Sequence, residues 1–379
     1  MGTELLVAAV LAASAGVLLF HGYAVVLALQ MPRLDPDPGA APDPAGSVSV
    51  VIAARNEEID LPACLESLIA QAYPAHEIIV VDGGSTDRTR EEAARRAPRV
   101  RLLEEPPLPV GWVGKSWACH VGAQVATSPY VLFLDADVRC HPSALGTSLS
   151  WAQREQADLA TLAPRLEMVT FWERVVLPFM AQMVLTFFRT PRVNRPTSRA
   201  AMANGQFLLV RRSAYETAGG HAAIRGAVLE DVRLAEEFRR HGLRMRVAFG
   251  PELISTRMYR HRAEMFEGLL KSVHGTRFSA LQQVGFLAGL VGFFWAPLFV
   301  LPLGILWASW PVAVAGAVLI GALVVKHAEF SRGMGGRRVD GLLFPIAVGF
   351  YVALVLTSLV RGLSRRPLVW KGRVYPMDA

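Results

Sequence analysis

The strongest constraint on this chain is where its apolar runs fall: they crowd the two ends and leave a mixed middle. Leu5–Leu29 is apolar apart from small residues, Ser14, His21 and Tyr23. At about 1.5 Å per residue, a helix of that length crosses a hydrocarbon core of about 30 Å. After Arg262 the pattern returns, and Val284–Leu306, Val312–Val325 and Gly341–Val360 read as three further membrane segments. A cleaved signal starts with a basic stretch. This chain starts Met-Gly-Thr-Glu, so the first run is expected to remain as an anchor. A hydrophobic fraction of 52% fits a protein that lies partly in lipid.

Charge suggests an orientation. Arg33 is the first cation after the anchor, which predicts an outside N-terminus and a cytoplasmic middle at the cell (inner) membrane. The expected loop Lys326–Asp340, with Lys326, Arg332, Arg337 and Arg338, and the tail, with Arg361, Arg365, Arg366, Lys371 and Arg373, both call for the cytoplasm, yet one crossing separates them. Either the last run, with its Pro345, is re-entrant, or one basic stretch lies on the other side. Met168–Phe188 is apolar too, but Glu173, Arg174 and Pro178 interrupt it. It is expected to lie in the interface as an amphipathic helix, with Phe171, Trp172, Val175, Val176, Phe179, Val184 and Leu185 on its apolar face. The net charge of +7 suits anionic lipid or an anionic substrate, and no nucleic-acid motif is present. Cys64, Cys119 and Cys140 are far apart and lack C-x-x-C spacing, which predicts reduced thiols and no zinc site. The sequence sets no oligomeric state. The expected division is an anchor at 1–31, a Pro-rich linker at 32–46, an α/β domain at 47–262, and at 263–379 an interfacial helix and membrane region with a basic tail.

The middle alternates strand and helix. Ser47–Ala53, Glu77–Val81, Val100–Leu103 and Tyr130–Leu134 read as strands. Glu58–Gln71, Thr86–Ala97 and Ser116–Ala126 read as helices between them. Such alternation predicts a doubly wound, mostly parallel sheet with helices on both faces. Ligands of such sheets gather beyond the C-terminal strand ends. Three of those ends carry acids: Ala53-Ala-Arg-Asn-Glu-Glu58, Val81-Asp-Gly-Gly-Ser-Thr-Asp87 and Leu134-Asp-Ala-Asp-Val138.

Asp135 and Asp137, one residue apart after a buried strand, can hold one hard divalent cation such as Mg²⁺ or Mn²⁺. Gly83 and Gly84 leave room for a ligand beside Asp82, whereas Asp87 fits a helix cap as well as a site. Lys115 opens a helix after glycines, a place suited to an anion. Glu230 and Asp231 open another helix, where acids also stabilise the helix dipole by about 0.3–1 kcal/mol. The run Arg257-Met-Tyr-Arg260-His-Arg262 suits either lipid headgroups or a diphosphate.

These motifs, in this order over Ser47–Arg262, resemble the family 2 glycosyltransferases of GT-A fold: Val-Val-Ile-Ala-Ala-Arg-Asn-Glu57, Val-Val-Asp-Gly-Gly-Ser-Thr-Asp87, Asp135-Ala-Asp137 and Leu229-Glu-Asp231. The resemblance implies inverting, metal-dependent transfer from a nucleotide diphosphate sugar, with a UDP-sugar expected. It further implies that Ala53, Glu57 and Asp82 hold the nucleoside, that Lys115 lies near the base or phosphates, and that Asp135 and Asp137 bind Mg²⁺ or Mn²⁺ and the diphosphate. Arg257 and Arg260 would support the diphosphate, and Asp231 would be the general base. Gly83 stands where the family often has a second aspartate. His261, where processive synthases carry Trp, argues against polymer synthesis. The stretches Pro109–Trp117 and Met258–Gly268 are similar to the bacterial subgroup associated with hopanoid and carotenoid pathways, which implies a membrane-lipid acceptor. A polyprenyl-phosphate glycosyltransferase or a short polysaccharide synthase is the alternative. A protein that only binds nucleotide sugars would have no need of Asp135, Asp137 and Asp231 together.

Overall fold

A computed structural model describes residues 2–43, 46–276, 278–364, 368–370 and 373–375. The chain forms two compact units. One comprises Met31–Glu167, Phe188–Met258 and Pro367–Ala379, and the other Met1–Gln30, Met168–Phe187 and Tyr259–Arg366.

The first unit is built on β1 (Val48–Ala54), β2 (Glu77–Asp82), β3 (Val100–Glu104), β4 (Tyr130–Asp135), β5 (Val138–Cys140), β6 (Leu159–Ala163), β7 (Arg165–Leu166), β8 (Phe207–Arg211), β9 (Met245–Phe249) and β10 (Ile254–Thr256). The main sheet runs β3-β2-β1-β4-β8-β6-β9. β1 to β4 are mutually parallel, and β8 is antiparallel to both β4 and β6. The α/β, mostly parallel expectation holds, with β8 as the exception. β1 sits centrally, with Val50, Val51 and Ile52 fully buried; burying such a side chain is worth about 1.5–3 kcal/mol. The Gly114–Val125 helix lies close against this strand because Gly122 faces Val51, and a Cβ there would collide with it. A separate small sheet has the order β5-β10-β7, with β10 antiparallel to β5 and parallel to β7.

Two local expectations change. The Pro-rich segment is not a bare spacer where it is described. Arg33 bridges to Phe249, Leu34 N–H donates to the Phe249 carbonyl, and Asp37 N–H donates to Thr147. An extended segment satisfies the open edge of β9, which would otherwise leave backbone groups unpaired. Pro44 and Ala45 lie outside the described residues. The helix expected over Thr86–Ala97 is confined to Thr89–Ala94, because Asp87 takes the N–H and hydroxyl of Thr89 and so organises the turn before it. All three cysteines are free and buried, as expected.

Among the described residues, the second unit holds four helices long and apolar enough to cross a membrane: Glu4–Leu29, Ala280–Leu306, Trp310–Gly333 and Arg338–Leu363. Lys326 and Arg332, expected in a loop, lie on the third of these. That helix outruns its apolar stretch because Lys326 finds His21 and Arg332 pairs with Glu329. The Phe171–Phe187 helix belongs to this unit. Phe171 and Phe187 are exposed, but Val175, Val176 and Phe179 are buried, Phe179 against Phe294, His327 and Tyr351. Much of the face expected to lie open in the interface is therefore covered by neighbouring helices of the unit. Of the basic tail, Arg365, Arg366 and Lys371 lie outside the described residues.

Candidate active site

Strand register brings the acidic ends together. On either side of β1, Ala54 pairs with Asp82 and Ala53 with Asp135. Asp82 is buried and accepts from the Ser85 N–H, with Arg90 at 3.8 Å. Beyond it Gly84 has φ +75°, a conformation that favours glycine. Glu57 lies in the turn after β1, where its N–H donates to Thr89 Oγ1 at 2.7 Å. Asp87 spends its oxygens on Thr89 and the Glu58 N–H, so the structure gives it the turn-forming role.

The centre of the group is Lys115. Its ammonium lies 2.7 Å from Asp135 Oδ1 and 2.6 Å from Glu230 Oε1. Burial works against its charge, but these two carboxylates outweigh burial and hold its pKa well above the usual lysine range. Lys115 reaches them from the first turn of the Gly114–Val125 helix. Just before and along that helix, Trp112, Trp117 and His120 form an aromatic cluster with centroids 4.9–5.6 Å apart.

Because β8 runs antiparallel, its beginning lies beside the end of β4. The loop before it therefore enters the site: the Asp135 N–H meets the Gln206 carbonyl, and the Gly205 N–H donates to Asp231 Oδ2 at 2.8 Å. Asp231 Oδ1 accepts from Val232 N–H, also at 2.8 Å. The carboxylate is thus fixed from two sides. Burial first, then Glu230, pushes the Asp231 carboxyl up to about 6, against the pull of Lys115 and the two N–H groups.

Asp137 differs from Asp135. Its Oδ1 is buried without a hydrogen-bond partner, as is the hydroxyl of Thr256. Burial, then Asp135 and Glu57, push its carboxyl well above the ordinary carboxylate value. A cation would satisfy the orphaned oxygen and relieve the repulsion between the aspartates. No set of three ligating side chains occurs among the described residues. A pair of carboxylates suits Mg²⁺ or Mn²⁺, which commonly complete their shells with water and substrate phosphate oxygens.

Lys115, Asp135, Glu230 and Asp231 thus form one constellation, with Asp82, Glu57 and Asp137 on strand ends and turns of the same sheet edge. Arg257 follows Thr256 at the end of β10 in this unit. Arg260 falls in the helical unit, where its N–H donates to Glu264. Sequence reasoning misses Glu230, which it assigns only to the helix dipole beside the candidate base Asp231, and Gly205. The signal for Gly205 is a polar Asn-Gly-Gln turn just before an apolar strand. Gly205 is bare for a reason: a Cβ there would lie 3.2 Å from each of Asp231 Oδ2, Glu230 Oε1 and Lys115 Nζ. Gly205→Ala is expected to cut turnover about tenfold, since small misplacements of catalytic groups carry large rate costs. The melting temperature should barely move. Steady-state kinetics beside a thermal melt checks both, and unchanged turnover would remove Gly205 from the site.

Residues 49–219 match the family described as Glycosyl transferase family 2. A 4,4'-diaponeurosporenoate glycosyltransferase of Staphylococcus haemolyticus is 30% identical over 215 residues, covering 56% of this chain and 57% of the relative. The uncharacterized glycosyltransferase YibD of Escherichia coli is 39% identical over 116 residues, covering 30% of this chain and 32% of the relative. The chain thus aligns with less than two thirds of either relative's length. In fold it is similar to the mannosyltransferase PcManGT of Pyrobaculum calidifontis, solved with GDP-Man and Mn²⁺. The TM-score is 0.55 at 18% identity, covering 96% of this chain and 99% of the other.

Proposed function

We propose that this chain, whose residues 49–219 match the model of the family 2 glycosyltransferases, is a member of that family and transfers a sugar from a nucleoside diphosphate sugar to a hydroxyl or carboxyl group of a membrane lipid. The observation that carries this reading is the cluster at the sheet edge: a fixed carboxylate, Asp231, beside a lysine that bridges Asp135 and Glu230. The four membrane-length helices favour a lipid as acceptor, as does the name of the Staphylococcus relative.

In this reading Glu57 and Asp82 bind the nucleoside beside the open Gly83-Gly84 turn, and the end of β1 at Ala53 forms the floor. Asp135 and Asp137 would hold Mn²⁺ or Mg²⁺. When bound, the cation supplies Lewis-acid neutralisation of the charge that builds on the diphosphate. Lys115 adds positive charge beside Asp135, and Arg257 is assigned the same role on the basis of the sequence motif. The acceptor hydroxyl oxygen attacks the anomeric carbon from the face opposite the diphosphate. The bond from that carbon to the diphosphate oxygen breaks, and the hydroxyl proton passes to Asp231. One displacement inverts the configuration and requires no covalent enzyme intermediate. The domain faces the cytoplasm, where nucleotide sugars are made, with the first helix as anchor, 32–46 as connector and the last three spans following the domain.

The test is to incubate membranes containing the protein with UDP- and GDP-sugars labelled in the sugar. Label is expected in an organic-extractable glycolipid that survives mild acid. Acid-labile lipid label would point to a polyprenyl phosphate sugar. Label found only on water-soluble sugars would overturn a lipid acceptor.

A further inference from the structure

The second unit contains polar chemistry that sugar transfer does not use. His21, on the first membrane-length helix, is 5% exposed, and His327, on the third, is 4% exposed. Lys326 Nζ lies 2.6 Å from His21 Nδ1, and His21 Nε2 lies 2.8 Å from the Phe293 carbonyl. A carbonyl only accepts, so Nε2 carries a hydrogen and Nδ1 accepts from the lysine. The lysine thereby commits one of its three donors. No carboxylate pairs with it among the described residues, and its ammonium lies over the face of Phe294, 5.1 Å from the ring centroid.

His327 is arranged alike. Its Nδ1 donates to the Leu323 carbonyl at 2.8 Å, and its Nε2 is buried with no partner. Its ring is stacked on Phe344 at 4.9 Å and on Phe179 at 5.8 Å. On the helix that carries Phe179, and one turn further on, Gln182 is 1% exposed with both amide atoms unpartnered. The Phe293 carbonyl belongs to a π-helical turn, Val291–Trp295, inside the second membrane-length helix. Such turns free backbone groups and recur at functional sites. Phe294 touches His21, Lys326, Phe179 and His327, so the polar groups surround one ring.

Lys326 is seven residues from the end of its helix at Gly333, and His21 eight from Leu29. At about 1.5 Å per residue both lie on the order of 10–12 Å in from helix ends. Ionisable groups at such depth are costly and are kept for a use. A lone cation among aromatic rings gains most from an anion, because charge-assisted hydrogen bonds strengthen where water is scarce.

We propose that Lys326, His21 and His327 form an anion site inside the helical unit, taking the carboxylate or phosphate head of a membrane amphiphile. The two remaining Lys326 donors bind the head. His327 Nε2 binds a further oxygen, either through an added proton or by accepting the hydrogen of a phosphate monoester. The apolar flanks accommodate the chain. The site stands on the helical unit alone and is independent of the sugar-transfer reading.

The full chain is reconstituted in phosphatidylcholine nanodiscs, and equilibrium binding of radiolabelled oleate, dodecyl phosphate and oleyl alcohol is measured. Wild type should bind at least one of the two acids saturably, about tenfold or more tighter than the alcohol, as charge-assisted bonds to one head would give. Oleate or dodecyl phosphate as the tighter ligand distinguishes a carboxylate from a phosphate head. Lys326→Met should abolish the preference and Lys326→Arg should keep part of it, each with a normal thermal melt. If Lys326→Met does not fold, His327→Gln takes its place and should weaken acid binding several-fold. Equal binding of acids and alcohol by wild type, or an undiminished preference in a folded Lys326→Met, overturns the proposal. Inorganic phosphate that competes as well as dodecyl phosphate also overturns it, because the occupant would then be a free anion.

Discussion

Asp231→Asn is expected to lower turnover by about 10²–10⁴-fold, the usual cost of losing a positioned general base, while nucleotide affinity hardly changes. The replacement keeps the shape and one carbonyl oxygen, so one of the Gly205 and Val232 N–H groups keeps its acceptor while the other faces the new amide NH₂. It also keeps a polar side chain in the first turn of the Glu230–Arg240 helix, which separates the two roles open to this residue. A residue that only stabilised the helix dipole would cost a few tenths to about 1 kcal/mol of stability and nothing in rate. Turnover within about threefold of wild type would therefore assign Asp231 to the helix.

The pH profile gives an independent reading. A base must be ionised to accept a proton, and the Asp231 carboxyl is raised to about 6 by burial and Glu230. For a hydroxyl acceptor, turnover should rise with pH through that region and level off above it. Asp231→Asn should lose this acid limb along with the rate. An acid limb left in place would assign it to another group.

The site was legible in the sequence where a strand end carried it. Asp82 and Asp135 terminate buried strands, and the period of those strands is enough to say which edge they share. Residues acting at a distance were harder to read. Lys115 looked like an anion-binding helix start, yet its charge is taken up by Asp135 and Glu230, one on β4 and one on a helix more than a hundred residues away. Glu230 adjoins a better candidate and shares its helix-start explanation. Gly205 is visible only once β8 is known to run antiparallel, which local pattern does not encode. In the helical unit, periodicity located the spans. It could not tell that Lys326 continues a helix, because a cation at the end of an apolar run signals a loop unless its partner, His21, is known.

Asp137→Asn is expected to remove most transfer, on the order of 10²-fold or more, because a cation that offsets charge on a leaving diphosphate contributes several kcal/mol to the barrier. Chelation of the wild type by EDTA should do the same, with Mn²⁺ or Mg²⁺ restoring activity. Asp137 is the more telling of the two aspartates. Asp135 already has Lys115 at 2.7 Å, whereas Asp137 Oδ1 is buried with no partner. The same contrast predicts an opposite effect on stability. Burial, then Asp135 and Glu57, raises the Asp137 carboxyl above its unfolded value. An acid raised in this way destabilises the folded, metal-free protein as pH climbs from the ordinary carboxylate range through its folded pKa. At neutral pH the metal-free Asn variant should therefore melt above the metal-free wild type, although it has lost its activity. Added Mn²⁺ should raise the melting temperature of wild type and leave the variant unmoved, by preferential binding to the folded state. Full wild-type activity in EDTA, or equal Mn²⁺ stabilisation of both proteins, would remove the metal from Asp137. A residue retained against stability in this way is the pattern expected where a site is built to hold charge that arrives only with its ligand.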